Sequence, residues 1–77
     1  MKVSDLKIGS KAKILRLVGG DNAYRQRLIA MGLLPGTEFS ITRMAPFGDP
    51  IEIMVRGFAL SLRKHEANVL VVERVEL

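Results

Sequence analysis

The chain contains no cysteine and no tryptophan. Without cysteine, neither a disulfide nor a thiolate metal site can supplement a small core, and the expected compartment is a reducing one. The single histidine, His65, lies between Lys64 and Glu66 in what reads as a charged turn, so no dedicated metal site and no cofactor is expected. Aromatics are few: Tyr24, Phe39, Phe47 and Phe58. With one tyrosine and no tryptophan, the aromatic-lined groove that grips proline-rich ligands cannot be built in its usual form. Apolar runs are short as well. The stretch at residues 69–72 falls far below the ~20 residues of a membrane-spanning helix, and no charged-then-apolar leader opens the chain. The expectation is a cytoplasmic protein without direct membrane insertion. Nor is there a phosphate-cradling loop, since Gly19-Gly20 lacks a following Lys-Ser/Thr. Asp49 and Glu52 read as ordinary surface carboxylates, and no catalytic residue is assigned.

What is present fits one small domain, residues 1–77, around one core. A chain of this size buries only about 60% of its unfolded surface. The net charge of +4 is unevenly spread. Residues 1–27 hold Lys2, Lys7, Lys11, Lys13, Arg16, Arg25 and Arg27 against Asp5 and Asp21, whereas the remainder is close to neutral. A basic N-terminal third suggests an acidic partner, a nucleic acid or an anionic surface.

Alternation of period two dominates and predicts strands with one buried face. Phe39 and Ile41 alternate with Glu38, Ser40 and Thr42. Ile51, Ile53 and Val55 alternate with Glu52, Met54 and Arg56, and Phe58, Leu60 and Leu62 with Ala59, Ser61 and Arg63. Residues 68–75 are nearly continuously apolar, which suggests cover on both faces. In residues 11–18 the phase changes between Ile14 and Leu15, and a bulge there would reconcile it. Pro46-Phe47-Gly48-Asp49-Pro50 joins two strands, with Pro50 expected at a strand's first residue. Residues 64–67 read as one helical turn. Five short strands with these connections predict a mainly β fold, a small SH3-like barrel with a short helix between the first two strands and a helical turn before the last. A five-stranded OB-type barrel is the rival.

The inserted helix is the most informative segment. Asp21 or Asn22 can cap it, and Tyr24, Leu28 and Met31 fall on one stripe. Gly32 suits a left-handed position beyond the last turn, bringing Leu33 onto Leu28. Pro35-Gly36 fits the centre of a type II turn. Ile29 lies off the stripe beside Arg25, and Phe47 stands on a loop tip between proline and glycine. Arg25, Ile29, Leu34 and Phe47 are therefore the expected partner-contact residues, aromatic and arginine side chains being the usual interface anchors.

Residues 23–37, Ala-Tyr-Arg-Gln-Arg-Leu-Ile-Ala-Met-Gly-Leu-Leu-Pro-Gly-Thr, and residues 43–53, Arg-Met-Ala-Pro-Phe-Gly-Asp-Pro-Ile-Glu-Ile, closely resemble the FeoA family of bacterial ferrous-iron uptake. In that motif Tyr24, Leu28, Met31, Gly32, Pro35, Gly36, Gly48, Asp49 and Pro50 are structural positions. The resemblance implies an SH3-like barrel acting on FeoB, a membrane transporter with a cytoplasmic GTP-binding domain. It implies no enzyme and no resident iron site. The alternative function is a small barrel that binds nucleic acid or serves a metalloregulator through the basic N-terminal third, although Phe47 is the one aromatic left free for base stacking. Self-association through the same exposed apolar residues is also compatible with the sequence.

Overall fold

A computed structural model describes residues 1–75 of the chain. Five antiparallel strands form one curved sheet: β1 (Lys11–Leu17), β2 (Glu38–Met44), β3 (Ile51–Val55), β4 (Phe58–Leu62) and β5 (Leu70–Arg74). Their order is β4-β3-β2-β1-β5. Neighbours in sequence are neighbours in the sheet from β1 to β4, a meander rather than the Greek key of an OB barrel. Strand β2 is shared between the two halves. Its first residues pair with β1 (Lys13 opposite Glu38, Lys11 opposite Ser40) and its later ones with β3 (Ser40 opposite Met54, Met44 opposite Ile51). This sharing lets the sheet curl over its own apolar face in the SH3-like manner expected.

Two bulges bend the sheet. Ile14 faces Val72 and Arg16 faces Val71, so Leu15 is the extra residue on β1 and points outward, 41% exposed. The phase change in the sequence has this bulge as its cause. A second bulge at Thr42, between Ile41 and Arg43, shifts the inward phase to Met44, which faces Ile51 and packs against the core. There the Thr42 hydroxyl donates to the carbonyl and carboxylate of Glu52, each at 3.1 Å.

Helix α1 (Asn22–Ala30) stands between β1 and β2, and α2 (Lys64–Ala67) between β4 and β5. A 3-10 turn at Val3–Asp5 was not expected; it closes when the Asp5 carboxylate accepts the Lys2 N–H at 3.0 Å. It buries Val3 and Leu6 and leads the N-terminal segment along β5, where Lys2 bridges Val71 and the Val72 N–H donates to the Met1 carbonyl. Strand β5 is thus flanked on both edges, but cover on both faces is not found: Leu70 and Val72 are buried, Val71 is half-buried and Glu73 is exposed.

Val3, Ala12, Ile14, Leu28, Leu33, Phe39, Ile41, Ile51, Ile53, Val55, Leu62, Leu70 and Val72 belong to one apolar cluster, with Tyr24, Met31 and Leu60 packed against it. One apolar-phase residue departs from expectation: Phe58 is 70% exposed. It faces Val55 across the Arg56-Gly57 reversal. Strand β4 is an edge strand, so no further strand covers the far side of its first residue. Period two places Phe58 on the inner face, but an edge position leaves that face open.

Candidate functional site

The local chemistry of α1 sets its orientation. Asp21 Oδ1 accepts the Tyr24 N–H at 2.7 Å, satisfying one of the donors a helix start leaves unpaired. At the other end Met31 is the C-cap, Gly32 takes φ +95°, and the Leu33 N–H reaches the Leu28 carbonyl at 3.1 Å. The Gly32 N–H reaches the Ile29 carbonyl at 2.9 Å, which completes a Schellman motif with Leu28 and Leu33 as its apolar pair. Both leucines are fully buried. The Thr37 N–H then donates to the Leu34 carbonyl around Pro35 and Gly36, the latter at φ +91° as a type II turn requires.

The loop between β2 and β3 is held at both ends. The Ala45 N–H donates to the Pro50 carbonyl, and the Gly48 N–H donates to the Ala45 carbonyl at 2.7 Å. Phe47 therefore occupies the outer corner of a turn and is 93% exposed. Asp49 Oδ1 accepts the Lys64 N–H at 3.0 Å, fastening this loop to the start of α2. The Asp49–Pro50 bond is cis, with Pro50 just before β3 rather than inside it.

The four expected contact residues lie in different settings. Phe47 projects from its loop and Leu34 is 37% exposed. Ile29 is half-buried, less open than its place off the apolar stripe suggests. Arg25 is half-buried too, and its Nη1 donates to the carbonyls of Gly19 at 3.1 Å and Gly20 at 3.4 Å. That side chain braces the turn before α1. The helix residues that share a concave surface with the Phe47 loop are instead Tyr24 and Arg27, which meet Pro50, Ser61, Arg63, His65 and Glu66 around a groove of about 450 Å³.

In that groove the Tyr24 and His65 rings stack with centroids 5.9 Å apart and planes 24° apart. Glu66 is 8% exposed, and its Oε1 accepts the Arg63 N–H at 2.8 Å. The Tyr24 hydroxyl is buried and has no hydrogen-bond partner among the described residues. Loss of solvent pushes its pKa above the ordinary tyrosine value, the nearby Glu66 charge adds to the rise, and Arg27 opposes it. Arg27 lies far along the chain from Arg63 and His65 at the start of α2, so no local pattern announces that they meet.

The basic N-terminal third is less uniform than its composition suggests. Lys11 pairs with Glu38 at 3.5 Å and Lys13 with Glu73 at 3.3 Å across adjacent strands. Among the described residues, no group of three or more His, Cys, Asp and Glu could hold a metal ion, and no helix is long and apolar enough to cross a membrane.

A family model described as the FeoA domain matches residues 1–74. The chain is 32% identical over 75 residues to an Fe(2+) transport protein A/Fe(2+) transporter FeoB fusion protein of Porphyromonas gingivalis, covering 97% of this chain and 9% of the fusion. Among solved structures, iron(II) transport protein A of Clostridium thermocellum superposes with a TM-score of 0.88 at 40% identity, over 97% of this chain and 46% of that one. The zinc complex of Stenotrophomonas maltophilia FeoA, described as a prokaryotic SH3 domain protein, gives 0.81 at 26% identity, over 95% and 89%. The chain thus spans less than a tenth of the fusion and under half of the C. thermocellum chain.

Proposed function

Because the chain belongs to the FeoA family, we propose that it is a non-enzymatic accessory module of ferrous-iron transport. In this reading it is cytoplasmic and docks on the cytoplasmic part of an FeoB-type transporter to support Fe(II) uptake. The observation that carries the proposal is the P. gingivalis fusion, in which a segment similar to nearly the whole of this chain shares a polypeptide with FeoB. Covalent joining raises the effective concentration of one module at the other, an arrangement useful only where the two act together.

The docking residues proposed are Phe47 and Leu34, which are exposed, with Ile29 and Arg25, which are half-buried on α1, contributing less. Phe47 supports this choice most directly, since a fully presented aromatic on a pinned loop loses little conformational freedom on being covered. The nucleic-acid reading draws less support: Lys11 and Lys13 already have acidic neighbours.

The test is retention of the transporter's soluble GTP-binding domain, loaded with GDP or a non-hydrolysable GTP analogue, on the immobilised chain. Phe47→Glu should reduce retention at least about tenfold while leaving the melting temperature unchanged, because an exposed substitution shifts stability by no more than about 0.5 kcal/mol. Equal retention of wild type and variant would remove Phe47 from the interface.

A further inference from the structure

The groove between α1, the 45–50 loop and α2 has a chemistry of its own. Arg27 and Arg63 line it, and neither guanidinium has a carboxylate within ion-pair distance among the described residues. The Tyr24 hydroxyl, buried beside Arg27 and Glu66, has a donor to give and nothing to receive it. Leaving such a group unpaired is costly, so an acceptor entering the groove gains more than it would at an open surface. Against the two guanidinium groups stands the one carboxylate of Glu66, so arginine and carboxylate together leave the wall one net positive charge.

Resting on the transporter reading above, we infer that this groove receives an aspartate or glutamate side chain from an extended acidic segment of the partner's cytoplasmic part. A monoanionic carboxylate balances the wall, whereas a phosphate dianion would bring a second negative charge against Glu66. Planar guanidinium groups match a carboxylate in two parallel hydrogen bonds. An extended segment fits because Pro50 lines the groove and lies three residues from Phe47 on the same loop: one chain can lay an acidic side chain in the groove and run on along that loop toward the aromatic.

The groove is tested first without any transporter. The full chain, labelled with 15N, is titrated with the peptide Ac-Gly-Pro-Glu-Pro-Glu-Pro-Gly-NH2 and with its counterpart bearing glutamine for glutamate. The glutamate peptide should shift the amides of Arg27, Ser61, His65 and Glu66 saturably, at least about tenfold more tightly than the glutamine peptide. The double variant R27Q/R63Q should keep the remaining spectrum and lose these shifts. Equal shifts with both peptides, shifts elsewhere, no shifts, or displacement by equimolar inorganic phosphate would overturn the inference. In a second arm, R27Q/R63Q should retain the transporter's GTP-binding domain at least about tenfold less well than wild type, and unchanged retention would overturn the assignment of the groove to that partner. Should wild type itself retain no domain, the transporter reading falls, while the peptide titration still decides whether the groove takes carboxylates.

Discussion

Replacing Leu28 by alanine tests the part of the structure on which the docking face depends. Leu28 is fully buried, and its carbonyl and side chain both take part in the helix stop, the one through the Leu33 N–H and the other through contact with buried Leu33. Alanine is at least as good a helix former as leucine, so the intrinsic preference of α1 is not reduced. The whole cost is then lost packing, and core leucine-to-alanine changes cost about 2–5 kcal/mol. A domain of this length has on the order of 4–12 kcal/mol in total, taking ~0.05–0.15 kcal/mol per residue. At roughly 4–8 °C per kcal/mol for domains of this size, melting should fall by about 8–40 °C. Urea denaturation followed by circular dichroism, with an unchanged m-value, would show that the loss is native-state packing rather than a change in the unfolded chain. Gln26→Ala on the exposed face of the same helix should leave the midpoint within about 0.5 kcal/mol of wild type. A Leu28→Ala variant melting with the wild type would refute the packing of α1 described here.

Gly32→Ala separates backbone strain from packing. An added Cβ would meet nothing within 4 Å, so the cost should be that of φ +95° alone, about 1–2 kcal/mol in a urea titration, and a null effect would contradict the left-handed assignment. Tyr24→Phe removes the unpartnered hydroxyl and should be neutral or stabilising at pH 7. The raised pKa of Tyr24 fixes the sign at high pH: the unfolded chain loses its proton near the usual value of about 10, the folded one only above it, so this contribution is complete below that value and disappears as pH climbs through the folded pKa. The stability difference between Tyr24→Phe and wild type should stay flat between pH 7 and 9 and then widen in the variant's favour, whereas a difference that stays flat beyond pH 10 would refute the burial of that hydroxyl.

Most of the architecture was legible because its signals are local. A strand with one buried face must alternate, so Phe39 and Ile41 or Ile51, Ile53 and Val55 announce themselves wherever they lie in the sheet. The ends of α1 are equally plain, since Asp21, Gly32 and Pro35-Gly36 each satisfy a requirement met within a few residues. The turn at Val3–Asp5 was missed because three residues carry no periodicity, although Asp5 three places after Lys2 was its one hint. The bulge at Leu15 betrayed itself by a slip in phase; the one at Thr42 shows only as the odd step from Ile41 to Met44, which a single methionine at a strand end does not make conspicuous.

The sequence alone determined which residues turn inward, where the helix begins and stops, and which loop tip presents an aromatic, because each depends on neighbours along the chain. Tertiary structure decided the rest. Strand order left Phe58 uncovered at an edge, despite a pattern identical to that of an interior strand. The bracing of Gly19 and Gly20 engaged Arg25, leaving Arg27 to face the loop. The groove itself draws on residues 24, 27, 50, 61, 63, 65 and 66, which share no local requirement and meet because the curl of the sheet brings three connections to one end.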